Sequence, residues 1–215
     1  LSDILEHKNY DAHAIHVLFN EEDDVTRKLC IAVNQGLLHK ESSKFIFVHD
    51  QVQHAVLSQI PKQKQRLLHL QIGIGILQNT AESKLDDVLF VVVDHMNRGA
   101  FLIHDVEEKV KLARLNLRAG RKAILSSAYA TAATYLKEGI SFLGEGSWDT
   151  YYDLNLQLHN ACADAEYCNG HEESMGVVLE NIFTHARCFD DSLQAYSTLV
   201  HALGAQNKMK DAMEI

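Results

Sequence analysis

Leu37-Leu38-His39-Lys40, then Glu41-Ser42-Ser43-Lys44, then Phe45-Ile46-Phe47-Val48 is the stretch that decides how the first part of this chain folds. Two short apolar runs flank a four-residue polar break, a pattern that predicts a β-hairpin. The stretch runs on as His49-Asp50-Gln51-Val52-Gln53-His54-Ala55. A histidine ends the second strand, and Asp50 is placed to cap a helix carrying Val52, Ala55, Val56 and Ile60. Upstream, Ala12, Ile15, Leu18 and Phe19 share one helical face between Asp11 and Phe19. Glu21 to Asp24 open a second helix, where carboxylates suit the positive end of the helix dipole. Its apolar set is Val25, Leu29, Ile31, Ala32 and Val33, and Gly36 is its C-cap.

Helix, helix, hairpin, helix is the order of a winged helix. Beyond Pro61, the sole proline of the chain, the signals are all helical. Residues 62–78 carry Leu67, Leu68, Leu70, Ile72, Ile74, Ile76 and Leu77, although Gly73 and Gly75 each weaken a helix by about 1 kcal/mol. In 84–97 the run from Val88 to Val93 has the look of a buried strand, but Leu85, Leu89, Val92 and Met96 keep helical spacing. Asn97-Arg98-Gly99 ends that helix, and Asp105 with Glu108 is a capping pattern that starts the next. Helix ends then fall at Ser126-Ser127, at Cys168-Asn169-Gly170 and near Gln206-Asn207, with new starts at Tyr129, His171 and Lys208. Ala132-Ala133, Ser174-Met175 and Asp211-Ala212 lie at matching offsets after those starts, as in loosely periodic helical hairpins of tetratricopeptide type. The expected fold is all-α with one small hairpin: a winged-helix-like subdomain over residues 1–60, then tetratricopeptide-like helical hairpins over 61–215.

The chain has 215 residues, enough for a sizeable core. Acidic residues outnumber basic ones 29 to 20, for a net charge of −9. A general nucleic-acid binder needs a basic face, so that class is disfavoured. The winged-helix recognition position, 22–35, opens on Glu22, Asp23 and Asp24 against Arg27 and Lys28, and phosphates would repel it. No direct DNA contact is expected, and a packing role is preferred. Cys30, Cys162, Cys168 and Cys188 form no CxxC and no dense framework, which reads as reduced thiols in the cytoplasm. No apolar run reaches the roughly 18 residues of a membrane span. A start at Leu1 and an end inside a helical pattern read as a piece of a longer protein.

Catalytic motifs are missing from the sequence. None of the glycines supplies G-x-x-x-x-G-K-[ST], and Gly73-Ile74-Gly75 has no third glycine and follows no strand. Neither G-x-S-x-G nor H-E-x-x-H occurs, so no enzyme activity is expected of this segment. His159 with Cys162, Cys168 with His171, and His185 with Cys188 are His/Cys pairs at i, i+3, the spacing that sets two ligands on one helix face. The second pair straddles a helix break, and cysteine in an amphipathic helix is usually a small core residue. The core reading is preferred, and no metal is expected. An imidazole at His49 can donate a hydrogen bond to a phosphate, with Asp50 fixing the turn.

Phe47, His49, Asp50, Val52, Gln53, Ala55, Ser58, Ile60 and Pro61 match the pattern F-x-H-D-R-V-Q-x-A-A-Y-S-L-I-P. Leu68 to Gly73, Met96 to Gly99, Ala113 to Ala123, Ser127 to Ala130, Tyr135-Leu136, Leu143-Gly144 and Trp148 continue the match over most of residues 35–190. On these residues the chain resembles the winged-helix segment of STAND-type AAA ATPases, and more closely the ATPase-bearing multidomain sensor kinases, including serine/threonine kinase proteins. The resemblance implies a nucleotide held between an upstream P-loop domain and the winged helix. It implies that His49 senses the β-phosphate of ADP, with Asp50 as its structural partner. ATP or ADP would then belong to the upstream ATPase domain, the partner in cis, and no cofactor to this segment. The helical repeats would serve as sensor arm or scaffold and dock a protein partner. The chain departs from the pattern at Gln51, where arginine is usual, and at Val56-Leu57, where Ala-Tyr is usual. A charge contact from position 51 is thereby in doubt. The competing reading is an adaptor of tetratricopeptide type without nucleotide control.

Overall fold

Glu22 to Asp24 begin helix α1 (Glu22–Asn34), the first element of a computed structural model that describes residues 22–41, 44–144 and 146–207. The predicted helix over 11–19 lies outside those residues. At the end of α1, Leu37 N–H donates to the Ala32 carbonyl at 2.9 Å and Gly36 N–H to Val33 at 3.0 Å. This is the paired bonding of a Schellman stop, and it places Gly36 at φ +71°, where glycine has no Cβ to clash. Strand β1 (Leu38–Glu41) pairs antiparallel with β2 (Lys44–Phe47), Leu38 opposite Phe47 and Glu41 opposite Lys44. The strands thus absorb both ends of the four-residue polar break, leaving a two-residue connection, the favoured length for a hairpin. Leu38 and Phe45 are buried on the shared face, and the Lys40 ammonium sits 5.5 Å from the Phe45 ring centre.

Helix α2 (Asp50–Ser58) starts one residue earlier than a capping Asp50 requires. Asp50 is therefore a first-turn residue and His49 holds the flanking position, its carbonyl accepting from Val52 N–H at 3.0 Å. The carboxylate still favours the helix through the dipole rather than as a cap.

Helices α3 (Lys62–Asn79) and α4 (Leu85–Gly99) form an antiparallel pair joined by a 3-10 turn at Glu82–Lys84. The helical reading of 84–97 holds: Leu85, Leu89, Val92, Val93 and Met96 are buried together with Ile72. Gly73 has a packing reason. A Cβ there would lie 2.6 Å from Met96 Cγ and 3.1 Å from the Val92 carbonyl oxygen. Gly99 returns the favour on α4, where a Cβ would lie 2.6 Å from Leu70 Cβ and 2.8 Å from the Arg66 carbonyl oxygen. His69 and His95 join the two helices through Nδ1 atoms 2.9 Å apart, so one ring donates and the other accepts.

The chain divides into two compact units, one running to Ile103 and one from His104 onward. A subdomain boundary at residue 60 falls inside the first unit.

The second unit is made of α5 (Val106–Leu125), α6 (Tyr129–Leu143), the single turn α7 (Ser147–Thr150), α8 (Tyr152–Asn169), α9 (Glu172–His185) and α10 (Phe189–Ala205). Asp105 caps α5 as expected, its Oδ1 accepting from Glu108 N–H at 2.9 Å. Helices α5 and α6 form one hairpin and α8 and α9 a second, with α10 packed on both helices of the latter. Ala132, Ala133 and Met175 are buried where paired helices meet. Leu112, Leu136, Leu158 and Ile182 have no exposed surface and form the core of this unit. The stop after α8 repeats that of α1, with His171 N–H bonded to Glu166 and Gly170 N–H to Tyr167, both at 3.0 Å.

Candidate functional site

The two residues singled out for a phosphate contact, His49 and Asp50, lie at the junction of β2 and α2 and are both exposed. The hairpin delivers His49 to the N-terminal end of α2, where unpaired backbone N–H groups make a positive partial charge.

The His/Cys constellation sits in the second unit, and the structure separates its members. His159 and Cys162 are on α8 and buried. His159 Nδ1 lies 2.8 Å from the Asn155 carbonyl oxygen, which can only accept, so Nδ1 carries the proton. Burial lowers the His159 pKa below the ordinary histidine value despite that hydrogen bond, with a smaller push in the same direction from His185. Burial pushes the Cys162 thiol up to about 12, helped by the Glu166 carboxylate, so the thiolate that would bind metal is disfavoured. His185 and Cys188 are not on one helix face. His185 ends α9, and Cys188 precedes α10 across a break at Ala186–Arg187. Cys168 is exposed, and His171 turns its Nδ1 to Glu166 at 2.9 Å. Among the described residues no group of three or more His, Cys, Asp or Glu side chains is arranged to hold a metal ion.

These side chains build a packed junction instead. Trp148 stacks on His185 with ring centres 4.8 Å apart and meets the His159 ring at 4.9 Å. Its edge contact is Tyr152, whose other face carries or borders the Arg187 guanidinium, 3.9 Å from the ring centre. The Tyr152 hydroxyl donates to Asp191 and accepts from Arg187 N–H at 2.9 Å. The hydroxyl's hydrogen bond is the main cause holding the Asp191 carboxyl below its ordinary value. This junction locks α7, α8 and the start of α10 together, which is a structural role for the residues suspected as ligands.

A groove of about 420 Å³ runs between α5, α8 and α10. Sequence reading did not find it, because its lining comes from three helices separated by dozens of residues. Among the described residues no helix is long and apolar enough to cross a membrane.

No protein-family model matches the chain, and no solved structure matches it. The chain is similar to hybrid signal transduction histidine kinase G of Dictyostelium discoideum, at 22% identity over an alignment of 196 residues that takes in 80% of this chain. It spans 6% of the length of that protein. The aligned share is longer than either compact unit.

Proposed function

We propose that this chain is a non-catalytic regulatory and scaffolding segment of a signalling protein. The observation that carries the reading is the similarity, over most of the chain, to one stretch of a signal transduction histidine kinase. In its sharper form, a winged helix over residues 1–60 reads the nucleotide held by an upstream STAND-type AAA ATPase module, and hairpins of tetratricopeptide type carry the change onward in the cytoplasm. His49 supports this form by its position: it is exposed at the hairpin–helix junction, beside the positive end of α2. The Asp50 carboxylate in the same turn disfavours an anion on the helix terminus itself, so the imidazole is the group left to meet a phosphate. The sequence has no P-loop, so the other nucleotide contacts would come from the upstream module. His49 would hold the winged helix against that module while ADP is bound and let go when its contact is lost. Such a switch needs contacts that differ between the two states.

The test is His49→Ala in the full-length protein. The expected result is faster ADP release and raised basal signalling. Unchanged ADP retention and signalling would remove nucleotide control and leave the second reading, an adaptor that binds a protein partner, which the groove between α5, α8 and α10 favours.

A further inference from the structure

The groove of the second unit is lined by Arg121 of α5, by Asn160 and Asp164 of α8, and by Asp190, Asp191 and Gln194 of α10. Three carboxylates thus face one guanidinium. The guanidinium is engaged at the edge, where Arg121 donates to Gln157 Oε1 at 3.0 Å. Asp164 is held in place by hydrogen bonds from Gln194 Nε2 at 2.8 Å and Thr198 Oγ1 at 2.6 Å. Those two bonds fill about half of the lone-pair positions that a carboxylate offers. Asp191 is fixed by Tyr152 and by Arg187 N–H, and Asp190 is exposed.

A second, independent observation points to a ligand. Asn160 is only 8% exposed, and its Oδ1 accepts no hydrogen bond among the described residues. A buried amide oxygen without a donor is costly, and native folds rarely leave one. The groove therefore lacks an N–H donor beside Asn160 and a positive charge beside its aspartates. An acidic segment or a nucleic acid would be repelled by three carboxylates, and a wholly apolar segment would strip them of water with no compensation.

We propose that this groove binds an extended, cationic polypeptide segment. A lysine or arginine side chain would sit among Asp164, Asp190 and Asp191, and an N–H group of the same segment would donate to Asn160 Oδ1. The proposal deepens the adaptor reading by giving the charge of its partner, and it does not depend on His49.

The test uses the 215-residue chain and two fluorescein-labelled octapeptides followed by fluorescence anisotropy. One alternates arginine or lysine with alanine, and the other has glutamate at each basic position. The basic peptide should bind saturably and the acidic one should not. Asp190→Lys, a change at an exposed position, should weaken binding at least tenfold, and Asn160→Leu several-fold. Asp153→Asn, an exposed carboxylate of α8 outside the groove, should change it less than twofold. Absence of saturable binding overturns the proposal. So does equal weakening by Asp153→Asn, which would mean attraction to the overall negative charge. Binding of the acidic peptide would make Arg121 the anchor and reverse the assignment. The readout involves no nucleotide, so its failure leaves the His49 reading untouched, and failure of the ADP test leaves this one untouched.

Discussion

Glu166 has no exposed surface, yet it is held as a carboxylate by Lys137 Nζ at 2.5 Å and His171 Nδ1 at 2.9 Å. Burial pushes its pKa up, but the hydrogen bonds from Lys137 and His171 outweigh that and hold it below the ordinary value of 4.5. Between those two values the folded state binds fewer protons than the unfolded state. The contribution of Glu166 to stability is therefore complete above pH 4.5 and is lost as pH falls through the lowered value. His159 follows the same sign from a higher start: its pKa is lowered from 6.5, so its contribution is complete above that pH and declines below it. Urea unfolding at stepped pH, followed by the fluorescence of the sole tryptophan Trp148, should show two declines. His159→Gln should flatten the upper one and Glu166→Gln the lower one. An upper decline that survives in His159→Gln would have to be assigned to another histidine. Lys137→Met leaves a buried carboxylate with one partner and should cost about 2 kcal/mol at pH 7.

Among the helices, the same substitution, glycine to alanine, changes sign with what stands opposite. In α9, Gly176 has nothing within 4 Å of a Cβ, so Gly176→Ala should stabilise by up to about 1 kcal/mol through helix propensity. At Gly99 the obstruction is the Arg66 carbonyl oxygen and the Leu70 backbone, which cannot step aside. Gly99→Ala should cost on the order of 1–3 kcal/mol. Gly73→Ala should cost less, because its nearest neighbour is the flexible Met96 side chain. Circular dichroism through a urea titration would rank the three variants, and equal losses at Gly99 and Gly73 would refute the distinction. Here lies the limit of what could be read from the chain alone. The Asp105 cap, the stops at Gly36 and Gly170 and the helical period of 84–97 were legible, because each is chemistry within a few neighbouring residues. Gly73 read as a weakness, because its reason sits on another helix. The break at Ala186–Arg187 carries neither glycine nor proline, so His185 and Cys188 read as helix neighbours when they are not. The turn at α7 did leave a signal, Gly144 and Gly146 two residues apart before Ser147, and it went unused. The groove was beyond reach for a different reason: periodicity tells which face of a helix is apolar, not which three helices will bring Arg121, Asn160 and Asp190 together.

Across the whole molecule, four thiols and one tryptophan serve as built-in reporters. Cys30 is exposed in the first unit, and Cys168 and Cys188 are exposed in the second. Cys162 is buried in the second unit, and its thiol is pushed up to about 12 by burial and by the Glu166 carboxylate. Thiolate is the reactive form, so Cys162 is protected both by access and by protonation. A chromogenic disulfide reagent at pH 8 should therefore label three thiols quickly and the fourth slowly. Cys162→Ala should remove the slow phase alone. Because labelling of Cys162 requires α8 to come away from its neighbours, the slow rate should rise with urea along with the loss of Trp148 fluorescence, which reports the same unit. A fourth thiol as fast as the other three would contradict the burial of α8, and with it the packed junction of Trp148, His159 and His185 that replaces the expected metal ligands. A slow phase that ignores urea at concentrations where Trp148 fluorescence falls would instead mean that Cys162 is reached by a local opening of α8, with the rest of the second unit still folded.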